Sequence, residues 1–325
     1  MSQILTVSPS PHIHSSDSTQ KIMLRVVYAL IPAMVWGIYM FGFTAVRVGL
    51  ISILSCLAVE YLIQKYLMKV KPTITDGSAL ITGILLAFNV PANLPWWIII
   101  IGAIASMGIG KMSFGGLGAN IFNPAMVGRV FLLISFPVQM TSWPSTRAMV
   151  VDGVTAATPL AIIKDGIKNS TPVAQLEGLP DLSDMIIGFN HGSLGEISSF
   201  LLILGGLFML WKKVITWHIP VSIFLTVGII SGIFWAFNPE IYVNPAYHIF
   251  TGGLVLGAVF MATDMVTSPM TGKAQIIYGI GIGLITIAIR MFGAYPEGIS
   301  FAILIMNAFV PLLNMYIKPK RFGGQ

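Results

Sequence analysis

Charge is scarce in this chain. Of its 325 residues, 9% are charged and 55% hydrophobic, with 12 acidic side chains and a single cysteine. A soluble domain carries about a quarter charged residues, so the scarcity excludes an ordinary water-facing globule. One thiol excludes an internal disulfide and a cysteine-based metal site, and Cys56, inside an apolar run, reads as a packing residue. The first twenty residues, MSQILTVSPSPHIHSSDSTQ, lack the apolar core of a cleavable signal peptide, so insertion is expected to start from the first membrane helix. His12 and His14 have no further ligands at metal-binding spacing and read as solvated residues; no metal site is expected. The glycine-rich stretch GKMSFGGLGANIFNPAMVGR, residues 110 to 129, lacks the G-x-x-x-x-G-K-[ST] order and a preceding soluble strand. Close helix packing or a broken helix is favoured there over nucleotide binding.

What the chain does have is long apolar runs. They are long enough to cross a hydrocarbon layer of ~30 Å as helices, and they lack the alternation of a transmembrane barrel. The expected class is an all-α polytopic membrane protein in the lipid bilayer. Ten candidate spans lie near 23–43, 44–66, 77–91, 95–111, 119–138, 196–212, 217–237, 249–265, 274–292 and 298–317. The expected organisation is an N-terminal segment 1–22, a five-helix half 23–138, a loop 139–195, a second five-helix half 196–317 and a basic tail 318–325. Lys21, Arg25, Lys65, Lys69, Lys71, Lys111, Lys212, Lys213, Lys273, Lys318, Lys320 and Arg321 fall on one side; the other has Arg47 and Arg290 in or beside its short loops, and Arg147, Lys164 and Lys168 in the long one, where the rule has little force. The positive-inside rule then puts both termini in the cytoplasm and the long loop outside. The net charge of +6 is mostly this asymmetry and points to no nucleic acid.

Five spans in each half make any internal repeat an inverted one. The third spans of the halves, DGSALITGILLAFNVPANLP and FTGGLVLGAVFMATDMVTSP, are both short, glycine-containing and ended by polar residues and proline. Such interrupted segments in corresponding positions point to a central site in transporter-like folds. The fifth spans echo them, with Asn123 before Pro124 and Asn307 ahead of Pro311.

Asp264, with Thr263, Thr267 and Ser268 at the end of the short eighth span, is either an ion-path residue or an interfacial helix-end acid. Glu60 and Arg129, inside apolar runs, are either paired structurally or part of a pathway. In the long loop stands DGVTAATPL, residues 152–160. Read locally, Thr158 is an N-cap and Pro159 the first residue of a short helix. A helix start also offers free N–H donors and a positive dipole end, where a phosphate is stabilised.

SPHIHSSDSTQKIMLRVVYALIPA, DGSALITGILLAFNVP, GGLGANIFNPAMVGRVFLLISFPVQMTSW, DGVTAATPL and GAYPEGISFAIL resemble the D subunits of the Rnf (Rsx) ion-translocating electron-transport complex, nearly end to end. The resemblance implies an inverted repeat similar to that of urea transporters. It also implies FMN held by a phosphoester to a threonine in a D-G-x-[ST]-x-A-T motif, which here selects Thr158, with Asp152, Gly153 and Thr155 as flavin-site neighbours. A non-covalent riboflavin is implied too, without residues. The implied activity is a ferredoxin:NAD oxidoreductase that moves Na⁺ or H⁺ across the bacterial or archaeal inner membrane, this chain acting as an electron relay. The implied partners are the A, B, C, E and G subunits, with the last as the flavin donor outside, and a flavin transferase for maturation. The outer loop is shorter than in many such relatives. The B subunit of a sodium-pumping NADH:quinone reductase is the nearest redox alternative, and a non-redox transporter or channel is the next.

Overall fold

A computed structural model describes residues 17–144, 157–176, 178–189 and 192–318, and among them it is helical with no β-strand. Helix α1 (Thr19–Phe41) starts where Ser18 accepts the Lys21 N–H at 3.3 Å and ends at Gly42, whose positive φ of 67° turns the chain at once into α2 (Phe43–Leu62). The first half continues with α3 (Ser78–Phe88), α4 (Trp96–Ile104) and α5 (Pro124–Ser135). Three short helices of the connecting segment, α6 (Pro137–Met140), α7 (Pro159–Lys168) and α8 (Leu182–Ile187), follow. The second half comprises α9 (Ser199–Trp211), α10 (His218–Phe237), α11 (Pro245–Phe250), α12 (Leu254–Leu256), α13 (Gly272–Phe292) and α14 (Ile299–Tyr316). One π-helical turn prolongs each of α2 (Ile63–Leu67), α4 (Ala105–Ile109) and α12 (Gly257–Met261).

All ten apolar segments expected from hydropathy contain helix, but six of them are long and apolar enough to cross a membrane alone. The rest are short. Helices α3, α5 and α9 have 11, 12 and 13 residues, roughly 16–20 Å at 1.5 Å per residue, well under the ~30 Å of hydrocarbon. The eighth segment is broken at Thr251–Gly253 between α11 and α12. Backbone freed at these breaks must be paired within the protein, because lipid offers no hydrogen bonds.

Packing within the halves runs in parallel: α2 lies against α3 and α4, while α10 lies against α11 and α13. The halves join through α1 on α9 and α5 on α14. At the centre the polar helix ends meet. Asn89, the C-cap of α3, approaches the Met261 sulfur at 3.6 Å, and Asn123 donates to the Met261 carbonyl at 3.1 Å. Oriented to satisfy both ends of its amide, Asn307 accepts the Asn123 N–H at 3.0 Å and donates to the Thr267 carbonyl at 3.3 Å. The two asparagines noted before prolines in the sequence therefore pair with each other.

Two basic residues assigned to the surface by the charge count are interior. Lys111 is 1% exposed and bonded to Glu60 at 2.7 Å. Arg290 is 2% exposed and donates to the carbonyls of His248 and Thr251. A cation so placed satisfies a buried partner instead of marking a side of the membrane. Glu60 and Arg129 are both ion-paired, Arg129 to Glu297.

Candidate functional site

Thr158 is the N-cap of α7. Its extended backbone (φ −70°, ψ 153°) precedes Pro159 in the first turn, and its hydroxyl accepts the Ala161 N–H at 3.3 Å. That leaves other N–H groups of the first turn pointing out of the helix end. The sequence places the cap because threonine is a good N-cap and proline tolerates N1. Leu160 and Ile163 are buried beneath α7, one turn apart. Lys164 crosses to the other helices, donating to the carbonyls of Tyr295 and of Ile289, the latter at 3.3 Å. Burial pushes the Lys164 ammonium below the ordinary lysine range, with Asp165 acting against it. Further along, the Val173 N–H bonds the Glu240 carbonyl at 2.7 Å. The segment after Thr158 is thus clamped onto the second half.

Leu160 sits against Gly252, in the break between α11 and α12. Gly252 has φ +66°, a conformation that favours glycine, and a side chain there would collide with Leu160. A Cβ on Gly253 would come within 2.6 Å of the Glu297 carboxylate, which instead accepts the Gly253 N–H. The GG pair of the sequence is the seat of both.

Beside Thr158 opens a cavity of about 270 Å³ whose walls include Arg129, Trp143, Glu196, Tyr295, Glu297 and Phe301. Tyr295 and Phe301 stack with centroids 5.3 Å apart and planes 24° from parallel. Arg129, 5% exposed, gives one terminal nitrogen to Glu297 and the other to Asn89. Thr141 and Ser300 add hydroxyls to the same walls. Aromatic faces, a fixed guanidinium and the Ser300 hydroxyl suit a flat heteroaromatic ring with a carbonyl edge, while the Thr141 proton is held by the Pro137 carbonyl at 2.8 Å. The threonine oxygen and helix start suit its phosphate. These residues fit FMN.

The other loop residues expected at this site, Asp152, Gly153 and Thr155, lie outside the described residues. Asp264 is elsewhere. It lines a second cavity with Ser78, Thr82, Lys111, Asn120 and Thr263. The N-terminal end of α5 and the C-terminal end of α9 border that cavity, whereas the Thr158 cavity meets Arg129 and Leu133 further along α5 and Glu196 just before α9. The two cavities therefore open toward opposite ends of the same helices. Thr267 donates to the Asp264 carboxylate at 3.0 Å, while the Thr263 hydroxyl goes to the Val259 carbonyl at 2.6 Å. Of the two threonines beside Asp264 in the sequence, Thr267 is the one bonded to it.

Trp143, Glu196, Tyr295 and Glu297 do not stand out in the sequence as site residues. The available signal is Pro-Glu-Gly in GAYPEGIS: an acid held by proline and glycine at the mouth of an apolar span, in a chain whose intramembrane Arg129 has no partner nearby in sequence.

The model of the NQR2, RnfD, RnfE family matches residues 6–323. The chain is 45% identical over 326 residues to the D subunit of the proton-translocating ferredoxin:NAD(+) oxidoreductase complex of Clostridium ljungdahlii, covering 98% of this chain and 96% of that protein. It is 44% identical over 321 residues to the D subunit of the Na(+)-translocating ferredoxin:NAD(+) oxidoreductase complex of Acetobacterium woodii, covering 98% and 95%. The D subunit of the ion-translocating oxidoreductase complex of Stutzerimonas stutzeri is 38% identical over 328 residues, with 94% and 93% covered. With a match that spans both helical halves and the Thr158 loop between them, this chain belongs to the NQR2, RnfD, RnfE family.

Proposed function

We propose that the chain is the membrane-embedded D subunit of an ion-translocating ferredoxin:NAD oxidoreductase complex, carrying FMN as a phosphoester on Thr158 and relaying electrons in a process coupled to Na⁺ or H⁺ transport. The observation that carries this reading is Thr158 itself, a helix-capping hydroxyl on the wall of a cavity lined by aromatic rings and a buried arginine. The similarity to the D subunits of such complexes supports it. FMN so bound supplies one-electron transfer chemistry. The chain's own residues do the rest. Thr158 offers the ester oxygen and the start of α7 the positive dipole end for the phosphate. Trp143, Tyr295 and Phe301 exclude water, and Arg129 supplies fixed positive charge.

Partners on this reading are the A, B, C, E and G subunits, the last delivering electrons outside the inner membrane, and a flavin transferase that needs access to Thr158. The test is flavin fluorescence of the chain on a denaturing gel, where only a covalent flavin survives, with mass spectrometry placing the added mass on the peptide containing Thr158. A dark band excludes the relay and favours a passive transporter.

Sidedness is tested separately. With Cys56→Ala as background, cysteine at exposed Ser170 is expected to react with an impermeant thiol reagent from outside, and cysteine at Ser2 is not. The reverse pattern would put Thr158 out of reach of an external transferase.

For the coupled ion, Asp264 is the proposed entry residue on the cytoplasmic side. A carboxylate is a suitable oxygen ligand for a hard cation, and Thr267 already touches it. Asp264→Asn is expected to leave Thr158 flavinylation intact and to slow cation-dependent electron transfer in the assembled complex. Normal pumping by that variant in vesicles would make Asp264 a helix-end acid only.

A further inference from the structure

Resting on the reading of Thr158 as the flavin-bearing residue, we propose that Arg129 sets the redox potential of the group held in this cavity. Glu297 is the positioning residue that fixes this guanidinium and partly neutralises it.

Arg129 is the one cation lining the cavity among the described residues, and it faces two carboxylates, Glu196 and Glu297. Arg290 stands behind them and does not line the cavity; its guanidinium is bonded to the backbone carbonyls of His248 and Thr251. The Arg129 fork is held at both tips, by the Glu297 carboxylate and the Asn89 side-chain oxygen. A planar guanidinium gripped at two points cannot swing away from its place.

Each grip is anchored in turn. Asn89 caps the end of α3, and the second oxygen of Glu297 accepts the Gly253 N–H just before α12. The charge pair is therefore assembled from both halves of the chain, at the breaks of their short helices, and it ends at the wall beside Thr158. Charges in a dry wall act strongly on a neighbouring group, because little solvent screens them. A fixed cation favours whichever redox form of a flavin carries more negative charge and so raises its potential. A carboxylate on the same wall opposes this.

A pair that serves only as a structural brace predicts something different. Breaking a brace from either end loosens the same contact, so both variants open the cavity to water and move the potential the same way, or not at all. A charge-setting pair predicts opposite signs. In Arg129→Gln the cation is gone and Glu297 remains. In Glu297→Gln the cation remains with less to oppose it, still held by Asn89.

The experiment uses the full-length chain co-produced with a flavin transferase and purified in detergent. Flavin absorbance is titrated against applied potential, and the spectrum of Thr158→Ala is subtracted to isolate the covalent flavin. Arg129→Gln is expected to lower the midpoint potential, Glu297→Gln to raise it, and Arg129→Lys to stay closer to the parent than Arg129→Gln does. Shifts of the same sign, or none, in variants whose gel bands still fluoresce overturn the assignment and leave the function proposed for Thr158 standing. A dark band from the parent chain overturns that function and this assignment with it. If Arg129→Gln alone does not accumulate, Arg129→Gln combined with Glu297→Gln, which strands no carboxylate against a missing cation, replaces it: a midpoint below that of Glu297→Gln supports the assignment, and one equal to or above it overturns the assignment.

Discussion

Thr158→Ala is expected to abolish covalent flavin completely while leaving a folded, membrane-inserted chain. The two effects separate because they rest on different atoms. The ester needs the threonine oxygen and has no substitute in alanine. The fold loses one N-cap hydrogen bond, from the Ala161 N–H at 3.3 Å, a cost of about 1 kcal/mol. Helix α7 stays seated by Leu160 on Gly252, by buried Ile163 and by the two carbonyls that Lys164 holds. Thr158→Ser keeps an oxygen in the same place and should retain flavin. Thr155→Ala should retain it too, since the proposed ester is on Thr158. In-gel fluorescence checks the flavin, and a monodisperse size-exclusion profile at parent yield checks the fold. A fluorescent Thr158→Ala band would move the attachment to another residue, Thr155 first.

Much of this is legible in the chain because it is local. Apolar length announces a helix, and glycine, asparagine and proline announce where one stops, so the third and eighth segments read as short from their residues alone. Thr158 followed by Pro159 announces a helix start. The paired asparagines are a partial case. Asn123 and Asn307 each stand out beside or near a proline, but nothing local says that they meet.

What stays hidden depends on pairs far apart in sequence. Arg129 and Glu297 are separated by 168 positions, and Lys111 and Glu60 by 51. A short stretch of sequence shows each as a lone charge in or beside an apolar run. Which lone charges neutralise each other is decided by how α5 meets α14 and how α2 meets α3 and α4. Lys111 reads as a surface residue for a related reason. It follows a glycine and precedes a glycine-rich stretch, as a surface lysine often does, yet the π-helical turn at Ala105–Ile109 leads it back under α3.

That burial makes Lys111→Met the second large effect, a loss of about 3–5 kcal/mol, the usual cost of removing one partner of a buried ion pair. Lys111 gives its ammonium to Glu60 at 2.7 Å and to the Ser78 hydroxyl at 2.6 Å, and Ser78 donates its own proton to Asp76 at 2.6 Å. Glu60 also accepts from Gln64 at 3.2 Å, and Gln64 holds Thr73 through both ends of its amide. The single variant leaves the Glu60 carboxylate, 0% exposed, with a neutral amide as its remaining partner. Most of the cost is that stranded charge, so neutralising it should restore stability. Glu60→Gln combined with Lys111→Met is expected to melt closer to the parent than Lys111→Met alone, with a coupling of roughly 0.5–3 kcal/mol. The check is the thermal midpoint of each purified chain in one detergent. Equal losses in the single and the double variant would mean that Lys111 acts by filling space and not by charge. The network borders the cavity that holds Asp264 and lies at the far end of the helices from Thr158. In-gel flavin fluorescence should therefore survive in every variant that still inserts, which separates a weakened Lys111–Glu60 network from damage at Thr158.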